Sequence, residues 1–301
     1  MLARLKLAAL ALAVAALPAA AQPAAKPKLV ATFTILADLA RQIGGDRIEA
    51  SALVGANVDA HSFAPKPSDV QSLGQAKLVV VNGLGFDAWA QRLVKTAGYK
   101  GEVLVASAGV APRKAEAEHA GHDHGHSEID PHAWQDPANV KIYVANLRDA
   151  LTRVDPDGRD VYAARASAYL AQLDAVQAEI AALFAAIPQQ RRRVVSSHDA
   201  FGYFARAFGV EFLAAQGVSS EGDVSARRLA ALIRQIRTLK APAVFLENLS
   251  DPRLAERIAR ETGAKIGGTL YSDALTPADG PAPTYLDLMR HNARTIADAL
   301  K

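Results

Sequence analysis

Residues 155–188 read DPDGRDVYAARASAYLAQLDAVQAEIAALFAAIP, and this stretch sets the architecture. Asp155-Pro156 opens a helix with the proline near its first position, where the missing N–H is no loss. No breaker follows until Pro188. Val161, Tyr169, Leu170, Leu173, Val176, Ile180, Leu183, Phe184 and Ile187 recur mostly three, four or seven apart, the spacing of one helix face. A helix of roughly 30 residues runs about 45 Å at 1.5 Å per residue, long enough to span two lobes.

The chain on either side of this helix alternates strands and helices. On the N-terminal side, strands are expected at Lys28–Thr34, Ile48–Val54, Lys77–Asn82 and Val103–Ser107, and helices at Ile35–Ile43, after Ser68 as cap, at Phe86–Ala97 and at Asn139–Arg153. Leu78-Val79-Val80-Val81 is a continuous apolar run, as in a strand buried on both faces. On the C-terminal side, strands are expected at Arg193–Ser197, Val210–Ala214, Ala243–Glu247 and Lys265–Tyr271. Helices are expected there at Phe201–Phe208, Ser225–Leu239, Pro252–Thr262 and Tyr285–Leu300. Such alternation predicts α/β architecture, two lobes with mostly parallel sheets joined by one long spanning helix. The expected division is an N-terminal lobe over 22–153, the linking helix over 154–188 and a C-terminal lobe over 189–301. Half of the 301 residues are hydrophobic, which suffices for cores of that size.

Residues 1–21 read as a secretory signal: basic Arg4 and Lys6, an apolar run from Leu7 to Leu17, and Ala19-Ala20-Ala21 as a small-residue cleavage site. The run is too short to span a bilayer. Its removal takes the net charge from +3 to +1, and no basic cluster is interleaved with aromatics, so no nucleic-acid partner is expected. The chain has no cysteine. That excludes disulfides, thiolate zinc sites and cysteine nucleophiles, and argues against a lipid anchor. A free, monomeric protein of the periplasm is expected.

Five of the eight histidines fall between Glu116 and Trp134. His119, His122, His124 and His126 sit among glycines and acids in a polar, metal-attracting tract over 116–128. His132 differs, because Pro131 and Trp134 flank it in Asp-Pro-His-Ala-Trp. His61 lies in the loop after the second strand, and His198 ends the first strand of the second half. Ligands of open α/β sheets bind outside the carboxyl ends of strands. His291, between Arg290 and Arg294, reads as surface. Without cysteine, any metal is held by His, Asp, Glu, backbone or water. His61 and His198 at strand ends and His132 just before a helix, beside the histidine tract and with no cysteine, therefore point to a metal site. A closed tetrahedral zinc site wants a fourth ligand. Asp273, after the last strand, is the best-placed carboxylate, with a turn or N-cap role as its alternative. Glu247 also ends a strand, in a region where a turn or cap role reads more naturally.

With these residues in view the chain resembles the cluster A-I metal-binding receptors of bacterial ABC transporters, in their zinc branch. The resemblance covers nearly all of 28–301. It rests on His61 with Pro65 and Pro67-Ser68-Asp69, on Asp130-Pro131-His132-Ala133-Trp134, and on Ser197-His198-Asp199-Ala200-Phe201. Leu270-Tyr271-Ser272-Asp273, the long helix and the histidine-rich insertion complete it. Ala60 departs from the pattern, since the family commonly has proline before the first ligand. The resemblance implies an interlobe site with His61 and His132 from the N-terminal lobe and His198 and Asp273 from the C-terminal one. It implies Zn²⁺ as cargo and an inner-membrane ABC permease as partner. Manganese members usually carry a carboxylate where this chain has His198. Some members are also described as adhesins, which no residue here supports by itself. Two other readings stand beside the receptor. One is a zinc hydrolase with an open three-histidine site, although the chain has no His-Glu-x-x-His and no nucleophile elbow. The other is a metal buffer or chaperone without a transporter.

Overall fold

A computed structural model describes residues 25–115, 129–219 and 224–301. The expected signal segment and the tract histidines His119, His122, His124 and His126 lie outside the described residues. The first lobe runs β1 (Lys28–Phe33), α1 (Thr34–Gly44), β2 (Glu49–Val54), α2 (Pro67–Gln75), β3 (Leu78–Val81), α3 (Ala88–Thr96) and β4 (Glu102–Val105). Then come the short strands β5 (Arg113–Lys114) and β6 (Ile129–Asp130), and α4 (Pro137–Val154). The long helix is α5 (Arg159–Ala185). The second lobe runs β7 (Arg193–Ser196), α6 (Gly202–Phe208), β8 (Glu211–Ala214), α7 (Ala226–Leu239), β9 (Ala243–Glu247), α8 (Pro252–Thr262), β10 (Lys265–Leu270) and α9 (Tyr285–Leu300).

Each lobe is built on a four-stranded parallel sheet, in the order β2-β1-β3-β4 in the first and β10-β9-β7-β8 in the second. Strands β1, β3 and β7 are apolar and almost wholly buried because helices cover both sheet faces. Helix α5 lies between the lobes. It packs on α1 and α4 of the first and on α9 of the second, burying Tyr162, Ala166, Tyr169, Leu173, Val176, Ile180 and Phe184. Among the described residues no helix is long and apolar enough to cross a membrane.

Several local expectations are corrected. The spanning helix has 27 residues, about 40 Å, because Pro156–Gly158 forms a separate 3-10 turn before it. Ser68 does not cap α2. Lys66 occupies the N-cap position with Pro67 behind it, and the Asp69 carboxylate accepts from the Lys66 backbone N–H at 2.7 Å. Helix α3 starts at Ala88 rather than Phe86, because Asp87 turns back to accept from the N–H groups of Asn82 and Gly83 and from the Thr32 hydroxyl. That pulls the Asn82–Asp87 loop into a compact turn. His291 is half-buried rather than a freely exposed surface residue: its Nε2 meets the Thr269 carbonyl at 3.0 Å, and its ring packs edge-on against Tyr271. The antiparallel pair β5–β6, with Arg113 opposite Asp130 and Lys114 opposite Ile129, was not expected.

Candidate metal centre

Parallel strands deliver their C-terminal ends to one edge of each sheet, and these edges face each other across the seam. His61 sits in the loop between β2 and α2. That loop is held where Trp89 Nε1 donates to the Ala60 carbonyl at 2.9 Å and Asp59 accepts from the His61 N–H at 2.8 Å. Ala60 therefore keeps its place without the proline common in the family. His132 follows β6. Asn82, at the end of β3, fixes the preceding peptide by donating to the Pro131 carbonyl at 3.0 Å, and Tyr143 in turn donates to Asn82. His198 lies just past β7.

The structure brings His61, His132, His198 and Asp273 together, with one donor atom from each within 4.8 Å of the others. His61 Nε2 is 3.3 Å from His132 Nε2 and 3.3 Å from Asp273 Oδ2. His198 Nε2 is 3.3 Å from the same oxygen, and His132 Nε2 is 3.6 Å from Asp273 Oδ1. Four donors set about 2.0–2.1 Å from a tetrahedral zinc ion lie about 3.3 Å from one another; the three 3.3 Å separations match edges of such a tetrahedron, while the 3.6 Å one runs to the other oxygen of Asp273. His132, His198 and Asp273 are buried and His61 nearly so. Among the described residues neither oxygen of Asp273 nor His198 Nε2 has a hydrogen-bond partner. Buried polar atoms left without partners are costly, and here they converge on one point, which a cation resolves.

Two carboxylates that the sequence did not single out as functional stand behind the imidazoles. Asp130 Oδ1 meets His132 Nδ1 at 2.8 Å and accepts from the His132 N–H at 2.9 Å. Glu247 Oε2 lies 2.5 Å from His198 Nδ1, while its Oε1 accepts from the N–H groups of Ser197 and His198. The turn or cap role expected of Glu247 is thus corrected, because β9 pairs directly with β7 and brings its last residue beside His198. Each carboxylate occupies Nδ1 and aims Nε2 at the cluster, the usual outer arrangement of a metal-binding histidine. The available signals were Asp130 two residues before a histidine and a single acid closing the apolar run Ala-Val-Phe-Leu. Phe33, Phe86 and Trp134 form an aromatic wall on the N-terminal side, with Phe86 edge-on to His61 at 4.7 Å between centroids and Trp134 at 5.3 Å from His132.

Burial alone would push the His198 imidazole down, but Glu247 and Asp273 face it and hold it well above its ordinary value of 6.5. Burial would likewise raise Asp273, yet the charges of His132 and His198 carry it well below 3.8. The cluster is therefore an ionised carboxylate among imidazoles, ready to exchange protons for a divalent cation.

Asp273 follows β10 of the second lobe, yet the first lobe holds it. Trp134 Nε1 and Gln135 Nε2 both donate to the Ser272 carbonyl, at 2.9 and 2.8 Å. The Leu275 N–H donates to the Thr34 hydroxyl and the Tyr285 N–H to Asp38. The simple assignment of Asp273 to the C-terminal lobe thus understates how far it is shared.

The sequence matches the family model for the periplasmic zinc-uptake complex component A over residues 29–299. It is 32% identical to the manganese-binding lipoprotein MntA of Halalkalibacterium halodurans, over 91% of this chain and 88% of that protein. It is also 32% identical to the iron-binding protein YfeA of Yersinia pestis, over 90% and 86% respectively. Among solved structures, the periplasmic zinc-binding protein TroA of Treponema pallidum superposes with a TM-score of 0.85 at 30% identity, covering 92% of this chain and 99% of that one. The chain belongs to the zinc-uptake component A family, the substrate-binding receptors of metal ABC transporters, and acts as a metal-binding receptor rather than an enzyme.

Proposed function

We propose that this receptor takes zinc, with His61, His132, His198 and Asp273 as its four ligands, and hands it to an inner-membrane permease for uptake. The observation that supports this reading is the convergence of three imidazoles on one carboxylate, each Nε2 lying 3.3–3.6 Å from an Asp273 oxygen and His61 Nε2 3.3 Å from His132 Nε2. Three imidazoles and one carboxylate suit Zn²⁺, whereas a site richer in oxygen suits Mn²⁺. The relatives named for manganese and iron make the cargo an experimental question. Asp273 fills the fourth position, which removes the opening a hydrolytic zinc centre needs for its water. Several relatives are named lipoproteins, while this chain has no cysteine to carry a thioether-linked lipid. The reading is therefore of a protein released into the periplasm after signal cleavage, working as a monomer. The tract over 116–128 is read as an auxiliary collector, with His119, His122, His124 and His126 raising the local zinc concentration.

The test titrates the metal-stripped mature protein with Zn²⁺ and Mn²⁺ against a chromophoric chelator, with Asp273→Ala alongside. One tight zinc site is expected, weakened by the substitution and with manganese much weaker. Manganese binding as tightly as zinc rejects the cargo assignment. Zinc affinity unchanged in Asp273→Ala rejects the four-ligand site.

A further inference from the structure

The two buried imidazoles are oriented by carboxylates that are themselves held in different ways. Glu247 is fixed by the backbone of the strand end that carries His198: its Oε1 takes both the Ser197 and His198 N–H groups. Asp130 divides its oxygens. Oδ1 serves His132 through ring and backbone, and Oδ2 lies 2.9 Å from Arg113 Nη1. Arg113 is not part of the cluster. It belongs to β5, whose other residue is Lys114, and it sits directly opposite Asp130 in the β5–β6 pair. The histidine tract leaves from the end of β5 and returns into β6. Orientation of His132 therefore runs through the stem of the tract, and orientation of His198 does not.

The same arginine also reaches the other lobe. Its backbone N–H donates to the Tyr203 hydroxyl of α6 at 2.8 Å. The start of α6 lies flush on the Arg113–Asp130 pair. A Cβ at Gly202 would come within 2.0 Å of Arg113 Nη1 and 2.7 Å of Asp130 Oδ2, so only glycine lets the helix approach this closely. Asp130 is fully buried and the Arg113 side chain is 16% exposed. In such surroundings a carboxylate deprived of its cation is left as a buried charge without its ion-pair partner, and Oδ2 loses the contact that faces it away from His132.

We propose that Arg113 is a positioning residue for metal binding: by holding Asp130 Oδ2 it sets the carboxylate that orients His132, and so ties the stem of the histidine tract and the N-terminus of α6 to one ligand of the metal centre. The inference rests on the metal-centre reading above. Losing the support behind a metal-bound histidine costs about 10–100-fold in affinity, and that is the loss expected on removing Arg113.

The experiment compares zinc affinity and zinc dissociation rate in the full mature chain for the unaltered protein, Arg113→Ala, Arg113→Gln, Arg113→Lys and His198→Ala. Arg47→Ala serves as control, since Arg47 forms a comparable ion pair with Asp155 away from the centre. In parallel, long-range ¹H–¹⁵N correlation on the zinc-loaded proteins reads the His132 ring. The expected result is a 10–100-fold faster loss of zinc in Arg113→Ala and Arg113→Gln, with a displaced His132 Nδ1–H signal. Arg113→Lys recovers most of both, and Arg47→Ala changes neither. Arg113→Gln keeps a donor and much of the length, and carries the test if the alanine variant fails to fold. Zinc affinity within twofold of the unaltered protein in Arg113→Gln, or an unmoved His132 signal, overturns the proposal. If His198→Ala also leaves zinc binding intact, the metal centre itself is misassigned. If His198→Ala abolishes tight binding while Arg113→Gln does not, the role of Arg113 alone fails.

Discussion

The His198 side chain concentrates the electrostatics of the site. Without metal its raised pKa means that protonation favours the folded state: that contribution is complete below about 6.5, the unfolded value, and is lost as pH rises through the higher folded value. Asp273 contributes in the opposite sense, above its ordinary value of 3.8, and this is lost only as pH falls through its depressed folded value. Zinc needs neutral imidazoles and competes with those protons. Raising the pH from 6 to 8 is therefore expected to lower the melting temperature of the metal-free protein and to widen its gap to the zinc-loaded protein. Calorimetry in buffers of different ionisation enthalpy should show proton release on zinc binding at pH 7. A gap that narrows with pH, or zinc binding without proton release, contradicts this account. At this scale the sequence made the three histidines legible, through strand-end and helix-start positions and the lack of cysteine, and offered Asp273 as the best-placed fourth ligand. It left Glu247 and Asp130 unread as supports, because a carboxylate behind an imidazole is defined by strand pairing and by a two-residue turn, not by residue type.

Among the elements, α5 decides whether the two sheets keep their relation. Its buried face meets α1, α4 and α9 along much of its length. Leu173, fully buried at mid-helix, is expected to cost about 2–5 kcal/mol when replaced by alanine. Denaturant unfolding of the metal-free protein measures it, and a loss below about 0.5 kcal/mol, the size of an ordinary surface substitution, would show that α5 is not packed as described. The helix was legible because an uninterrupted 3.6-residue pattern is a local property. The β5–β6 pair was not. Two-residue strands carry no periodicity, and their pairing joins residues separated by the whole tract. The start of α3 was misplaced for a related reason: the Asp87 carboxylate, through contacts with Thr32 and the Asn82–Gly83 turn, overrides the local helical preference of Phe86.

For the molecule as a whole, the close pairing of Lys114 with Ile129 means that the tract begins and ends at adjacent positions of an antiparallel pair. A turn of two to five residues can close such a pair. Replacing residues 116–128 by a short glycine-containing turn is therefore expected to leave the fold and one tight zinc site intact, while slowing loading when zinc is scarce. Stopped-flow loading from a buffered zinc pool, together with the melting temperature with and without zinc, tests this. Loss of the tight site would place the principal binding site in the tract. The long α5 packed on both lobes and the ties from Trp134, Gln135 and Thr34 to the Ser272–Leu275 segment favour local rearrangement around the ligands over wide opening of the lobes.

Alternating strand and helix patterns, one long uninterrupted helix and strand-end histidines are written in short windows of sequence. They determined the two-lobed α/β architecture and pointed to a metal site at the three histidines, and the family resemblance supplied the four-ligand set with Asp273. The tertiary structure decided what depends on pairing between distant segments. It placed Glu247 behind His198 and Asp130 between His132 and Arg113, and it tied Asp273 to the first lobe through the Ser272 carbonyl. The reason is physical: periodicity and donor type are local properties, whereas the orientation of an imidazole, and hence its strength as a ligand, is set by neighbours that meet only when both sheets and the helix between them have packed.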